Sequence, residues 1–332
     1  MNPTSFARRL VLGAAGIGLV ALLSTSAAQA QSQAPTQAWP QRSVKFILPF
    51  GPGSATDIAA RLIGDKLSAK WGKPVVIENR PGADGLLAIN AFTSAADDHV
   101  LLYASSASFI AHPYTQEKVP YDMERDLAPI ARVSDTVLSA AVPAESGYKT
   151  LREFVEGAKK APDKHNFAGA AGLPEFAAMA FVKSENLGIS KIPYKDVMQG
   201  GRDLGENRIQ FLVSSYAAVQ PLIEAGKVRV VGVGGRTSLA PGVPTVTEAG
   251  YPSLQIETTS GFYGPRGMPL DLRQRIGRDV VEVTNDPVIS QRIASSGQDV
   301  RTGGPEEMAQ TLKRQAQRAA EIAKVLGLTA KN

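Results

Sequence analysis

From residue 44 onward the apolar and polar positions follow two alternating periods. Val44, Phe46 and Leu48 share one face of an extended run, with Lys45 and Ile47 between them. That β-branched and aromatic alternation reads as a short buried strand. Pro49-Phe50-Gly51-Pro52-Gly53 ends it, since neither strand nor helix continues through such a cluster. Ser54 or Thr56 then offers an N-cap hydroxyl and Asp57 an acid for the first turn, while Ile58, Ala59, Leu62, Ile63 and Leu67 recur at helical spacing.

The unit of strand, turn and helix repeats. Residues 74–78 read as a strand, 79–85 as a turn cluster and 86–95 as a helix broken by Asp97-Asp98. A third strand, Val100 to Tyr103, stops at Ala104-Ser105-Ser106-Ala107-Ser108, which reads as a turn. Ile130 to Val142 is strand-like, and Thr150-Leu151-Arg152-Glu153 has the capping-box spacing. A second small-residue turn, residues 167–175, precedes a helix carrying Phe176, Ala177, Ala180 and Phe181, with Pro174 suited to its first position and Glu175 to its first turn. Further strands are expected at Ile209–Val213 and Val228–Val233, a short helix at Val246–Ala249, a returning run at 255–264, and helices at 276–284 and 306–326. The last is amphipathic, a packing pattern rather than a membrane contact.

Strands alternating with helices argue an α/β chain with parallel sheets, whose ligands sit beyond the carboxyl ends of the strands. A glycine loop opening a helix leaves N–H groups free and about half a positive charge at the helix start, a seat for an anion. The first such loop is neither a phosphate P-loop nor a dinucleotide fingerprint: it lacks Gly-Lys-Ser/Thr and a third glycine at the required spacing.

Residues 1–30 read as an export signal. Arg8 and Arg9 are the charged region, Leu10 to Leu23 the apolar one and Ala28-Gln29-Ala30 the cleavage site, putting the mature start near Gln31. Both Sec and Tat export accept this segment. Residues 31–40, rich in Gln, Ala and Pro, read as a flexible leader. Removing residues 1–30 removes two arginines and no acid, so the formal charge falls from +5 to +3. With the charges interspersed, nucleic acid is not an expected partner. There is no cysteine, hence no disulfide and no thiolate to hold a metal or attack a substrate. His99, His112 and His165 have no partner four residues away, and no Gly-x-Ser-x-Gly elbow exists. Asp57 and Arg61 read as a surface pair, and Asp97-Asp98 as neighbours that do not converge. No catalytic residue, metal or cofactor is expected.

Several pieces, in order, carry a resemblance: residues 49–57 (Pro-Phe-Gly-Pro-Gly-Ser-Ala-Thr-Asp), 78–83 (Glu-Asn-Arg-Pro-Gly-Ala), 192–195 (Ile-Pro-Tyr-Lys), 224–229 (Glu-Ala-Gly-Lys-Val-Arg) and 244–250 (Pro-Thr-Val-Thr-Glu-Ala-Gly). The chain resembles the Bug, or TctC-like, family of periplasmic solute-binding proteins, the receptors of tripartite tricarboxylate transporters. The resemblance implies a two-domain periplasmic binding protein of the type II-like Venus-flytrap kind. Each domain would be a mainly parallel sheet flanked by helices, with two crossover segments, the first near Val133–Ala141. Residues 41–136 with 258–332 would form one domain and 137–257 the other, with the ligand between them.

The implied ligand is a small carboxylate, and the implied partner a membrane permease or, in a sensing variant, a receptor histidine kinase. The receptor itself is expected to be a monomer. By position the resemblance assigns binding to Phe50, Gly51, Ser54 and Asp57, to Ser105, Ser106 and Ser108, and to Gly169, Ala170, Ala171 and Gly172. Ser214 and Ser215, at the end of a strand, would line the same cleft. Ser54 stands where the family usually has a second glycine. Pro174-Glu175-Phe176 stands where its second-domain helix often begins with His. Glu175 is read as facing solvent at the helix start; pointed inward, it would repel an anion unless an amine neutralised it. An exported hydrolase or transferase on the same scaffold is the alternative, and it needs a nucleophile with a base in reach.

Overall fold

The computed structural model of the chain describes residues 39–194 and 196–331. The expected signal peptide and most of the leader lie outside the described residues, as does Lys195. The chain divides into a unit of Met1–Gln41, of which residues 39–41 are described, and a unit of Arg42–Asn332 that holds every element below.

The elements run β1 (Val44–Leu48), α1 (Ala55–Trp71), β2 (Val75–Asn79), α2 (Leu86–Ala95), β3 (Val100–Ser105), α3 (Ser106–Thr115), the single turn α4 (Met123–Asp126) and β4 (Ala128–Thr136). Then come β5 (Leu138–Pro143), α5 (Leu151–Lys160), β6 (Asn166–Gly169), α6 (Leu173–Ser184), β7 (Ser190–Lys191), α7 (Val197–Gly205), β8 (Phe211–Ser215), α8 (Tyr216–Glu224) and β9 (Val228–Val233). The chain closes with β10 (Thr259–Gly264), α9 (Leu270–Thr284), α10 (Pro287–Ser295), β11 (Gln298–Gly303) and α11 (Pro305–Leu326).

The strands build two sheets, in the orders β11-β4-β10-β3-β1-β2 and β7-β6-β8-β5-β9. The expectation of mainly parallel sheets is corrected: both are mixed. β1 runs parallel to β2 and β3, and β6 parallel to β7 and β8. The strands that carry the chain between sheets, β4, β5 and β10, pair only antiparallel. A crossover helix returns a strand in parallel to its own sheet. β4 and β5 are joined by Val137 alone, and β10 arrives from the other sheet, so no such helix sets their direction.

α2 and β9 have the expected bounds. Other elements differ: the strand-like run 130–142 is two strands, the strand expected at 209–213 is Phe211–Ser215, and the helix expected at 276–284 begins at Leu270. The expected turn at residues 104–108 is the end of β3 and the start of α3, capped by the Ser105 hydroxyl accepting from Ala107 N. Residues 246–249 form a turn instead of a short helix. Thr245 and Glu248 cap one another across it, and Gly250, at φ 92°, ends it after one turn.

Aromatic stacks fill each layer: Phe262 lies 4.5 Å from Tyr103 and 4.7 Å from Phe46, and Phe211 lies 4.7 Å from Phe154. One buried cluster runs without a break from Ile47 and Leu102, through Phe176 and Phe181, to Phe211, and includes Leu312 and Ile322 of α11. α11 packs on β4, α3 and α6, so one helix touches the first sheet and a helix that packs on the second. No helix of the described residues is long and apolar enough to cross a membrane.

Candidate functional site

Ser54 is the N-cap of α1, its hydroxyl accepting from Asp57 N at 3.2 Å. The N–H groups of Ala55 and Thr56 therefore have no acceptor within the helix. Asp57 is not half of a surface pair: its residue is 2 % exposed. Its carboxylate accepts from Gly53 N (2.9 Å), from Arg61 Nε and Nη2 (3.0 and 2.9 Å) and from Asn79 Nδ2 (2.8 Å). Asn79 Nδ2 also donates to the Phe50 carbonyl at 2.9 Å. Burial pushes the Asp57 carboxyl up, but Arg61, the Gly53 N–H and Asn79 outweigh it and hold it below the ordinary carboxylate value. The loop from Phe50 to Gly53 is thus tied at both ends to one buried acid. Arg61 and Asn79 escaped the sequence reading as loop anchors, although Asn79 sits in one of the motifs singled out there.

The serines of the first sheet form a row. Ser105 on β3 pairs with Ser260 on β10, which pairs with Ser134 on β4. Ser106 is fully buried: its hydroxyl donates to Gln315 Oε1 at 2.6 Å and accepts from Thr259 N at 3.0 Å. Gln315 Nε2 donates to Thr259 Oγ1, which donates to Asp135. Ser108 falls in the first turn of α3.

The second turn joins β6 to α6. Gly169 pairs with Val213, and Ala170 N donates to the Val213 carbonyl. A Cβ on Gly169 would lie 2.4 Å from Glu175 Cα, so only glycine lets α6 start here. Gly172 is its N-cap, at φ 86°, with no side-chain cap. Leu173 is the first helical residue, one before the expected Pro174, and Ala171 is exposed. Glu175 is bound to the Lys191 ammonium, so its charge is neutralised by an amine. Ser214 is buried, its hydroxyl donating to the Ser215 carbonyl at 3.3 Å. Ser215 caps α8 by accepting from Ala218 N.

Two of these helix starts meet through β11. Gln298 Nε2 donates to the Ala55 carbonyl of α1 at 3.1 Å, and Gln298 Oε1 accepts from Ser134 at 2.7 Å. Gly297 abuts Ala217 of α8, where a Cβ would come within 2.4 Å of the alanine methyl. Tyr216 N donates to the carbonyl of Val137, the link between β4 and β5. The caps Ser54 and Ser215 are thereby brought to the same junction. Among the described residues no hydrogen bond or ion pair joins the 50–54 loop to the 169–172 turn. Gln298 and Gly297 carry no signal in the sequence, since a lone Gln and Gly in a polar strand start resemble any turn.

Each histidine is engaged with structural partners. His112 bonds Tyr121 Oη (2.7 Å) and the Asp84 carbonyl (3.0 Å). His165 bonds Tyr148 Oη (2.9 Å) and the Ala161 carbonyl (2.8 Å), and His99 bonds Asp98. Asp97, Asp98 and His99 do converge, their ligand atoms lying within 4.8 Å of one another. Asp97 is paired with the Arg42 guanidinium, which opposes a metal ion there.

Residues 59–328 match the family described as tripartite tricarboxylate transporter family receptor, TctC. A UPF0065 protein of Bordetella bronchiseptica is 32% identical over 326 residues, 95% of each chain. A solved periplasmic transporter is 28% identical with a TM-score of 0.75, covering 86% of this chain and 98% of its own. Two proteins of Rhodopseudomonas palustris share the fold. One was solved with adipate (24% identical, TM-score 0.77, covering 89% and 100%), and the other, MatC, with bound malate (23%, 0.73, 86% and 99%). With its two mixed sheets and two passages between them, the chain has the periplasmic-binding-protein fold and belongs to the TctC family of tripartite tricarboxylate transporter receptors.

Proposed function

We propose that this chain is an extracytoplasmic receptor that captures a small carboxylate, a dicarboxylate or an aromatic or aliphatic organic acid, between two lobes. The lobes are residues 41–136 with 258–332, and residues 137–257. The captured acid passes to the permease subunits of a tripartite transporter. The receptor works as a monomer in the periplasm, exported by a cleaved signal peptide through Sec or Tat.

The observation that carries this reading is the meeting of two capped helix starts, α1 and α8, at the Gln298 junction. Each carries about half a positive charge; α1 offers the N–H groups of Ala55 and Thr56, whereas at α8 Tyr216 N and Ala218 N are already bonded and Ala217 N is left. Phe50, Gly51 and Ser54 hold one end of the acid. Gly169, Ala170, Ala171 and Gly172 hold the other, with Ser105, Ser108 and Ser215 between. Ser54, Ser105 and Ser215 accept cap bonds and keep the hydroxyl proton to donate, whereas Asp57 has no proton to give and the hydroxyls of Ser106 and Ser214 already donate within the protein, so these three act as positioning residues. The reading is of capture without turnover, and each histidine is bonded to structural groups.

The test is a thermal-shift screen of the mature chain against mono- and dicarboxylates, adipate and malate first, with mass spectrometry of the recovered ligand. An acid at a hundred times its dissociation constant raises stability by about 2.7 kcal/mol, and it is recovered unaltered. A folded chain that no carboxylate stabilises, or one that converts the acid, overturns the reading.

A further inference from the structure

We propose that a cavity at the passages between the two sheets is a second site, for a small doubly charged oxyanion, and that its occupancy is coupled to the angle between the lobes. The cavity, about 290 Å³, is walled by residues 136–138 and 256–258, the two passages themselves. None of the residues assigned to the carboxylate cleft lines it.

Guanidinium groups are in slight excess in its lining, although Arg236 is already bound to Glu248. Arg132, Arg236, Arg301 and Arg314 line it against Asp135, Glu257 and Asp299. Asp135 is saturated: Arg132 grips it with Nε and Nη2, Arg301 Nε lies 3.5 Å away, and the Thr259 hydroxyl donates to it. Arg301 therefore shares one carboxylate with Arg132. Among the described residues Arg314 pairs with no carboxylate, and its side-chain bond goes to the Thr311 hydroxyl. Asp299 accepts from the Thr237 hydroxyl, a bond from β11 to the segment after β9. Planar guanidinium forks bind the paired oxygens of phosphate or carboxylate through two parallel bonds. The volume suits one small ligand and lies near the lower end of known ligand pockets, roughly 300 Å³.

Coupling follows from the walls. Rotation of one lobe against the other turns about residues 136–138 and 256–258, so it changes the spacing of the groups they carry. An occupant that prefers one lobe angle shifts the affinity of the cleft, and the cleft ligand shifts the affinity of the cavity by the same factor.

The same oxygen chemistry arises from inorganic phosphate or from a second molecule of dicarboxylate. Equilibrium dialysis of the mature chain with radiolabelled phosphate, and calorimetry with adipate and with malate, separate the two. One saturable phosphate per chain, or a second dicarboxylate per chain, is expected. Arg301→Gln with Arg314→Gln weakens that site at least tenfold while the carboxylate thermal shift persists, which also shows that the variant folds. Arg314→Gln alone carries the same test if the double variant does not. Gly169→Ala, in the cleft turn, leaves the second site intact. Absence of any second saturable anion, or binding unchanged in the arginine variants, overturns the site. A second anion that leaves cleft affinity unmoved overturns the coupling. Because the cleft is followed separately, its failure is not mistaken for failure of the cavity.

Discussion

Asp57 shows how much one buried acid organises. Its two oxygens receive the Gly53 N–H, two nitrogens of Arg61 and the Asn79 amide. A carboxylate buried this far is stable only because each lone pair is met. Asp57→Asn keeps the shape and removes the charge, so the bonds from Arg61 lose their ionic share. A loss of about 2 kcal/mol in unfolding free energy at pH 7 is expected, with weaker carboxylate capture as the 50–53 loop loosens. The pH dependence has a definite sign. The folded carboxyl titrates below the ordinary value of 3.8, so its contribution is complete above that value and fades as pH falls through the lower folded one. Urea denaturation of both proteins at pH 7 and pH 3 measures this. The gap between them shrinks at pH 3, and an equal gap at both would show that charge is not what Asp57 contributes.

Local elements were readable where local chemistry decides them. Val44–Leu48, the Ser54 cap, Leu86–Ala95 and Val228–Val233 follow from alternation, capping hydroxyls and breakers lying within a few residues. What the sequence hid is set by distant partners. Strand direction at β4, β5 and β10 depends on which sheet each joins, and nothing local encodes that. The Ser105-Ser106 pair reads as a turn because serine favours turns. It opens a helix because Ser106 is met by Gln315, 209 residues later, and by the amide of Thr259. For the candidate site, the sequence marks the glycine and serine turns as candidates, while the Gln298 bridge that gathers the α1 and α8 starts has no local signal. The second glycine turn gives an element-scale prediction. At Gly169 a methyl would collide with the backbone of Glu175, so α6 must shift along its axis or the turn must open. Gly169→Ala is expected to lower stability by about 1–3 kcal/mol and to weaken carboxylate binding more than tenfold, because the first-turn N–H groups move with the helix. Calorimetry together with urea unfolding checks both. Unchanged affinity would remove the 169–172 turn from the ligand site.

At the scale of the whole molecule, two sheets joined by two passages suggest lobes that melt separately, but the core argues against it. The buried cluster that starts at Ile47 does not stop at the passages; it continues into Phe176, Phe181 and Phe211. α11 is the bridge, laid on β4 of the first sheet and on α6, which packs on β6 and β8 of the second, with Leu312, Ala319 and Ile322 buried in the shared cluster. Removing one end of that bridge should therefore loosen both layers together. Ile322→Ala deletes buried apolar volume and is expected to cost about 2–4 kcal/mol. Native-state hydrogen exchange reads where that cost falls. Peptides covering β3, in the first sheet, and β8, in the second, are expected to open with the same free energy in the parent protein and to lose the same amount in the variant. Two separated openings, with β8 weakened and β3 untouched, would show that the continuity of packing does not make the lobes one cooperative unit. Closure on an acid would then have to be described as docking of two independently stable bodies.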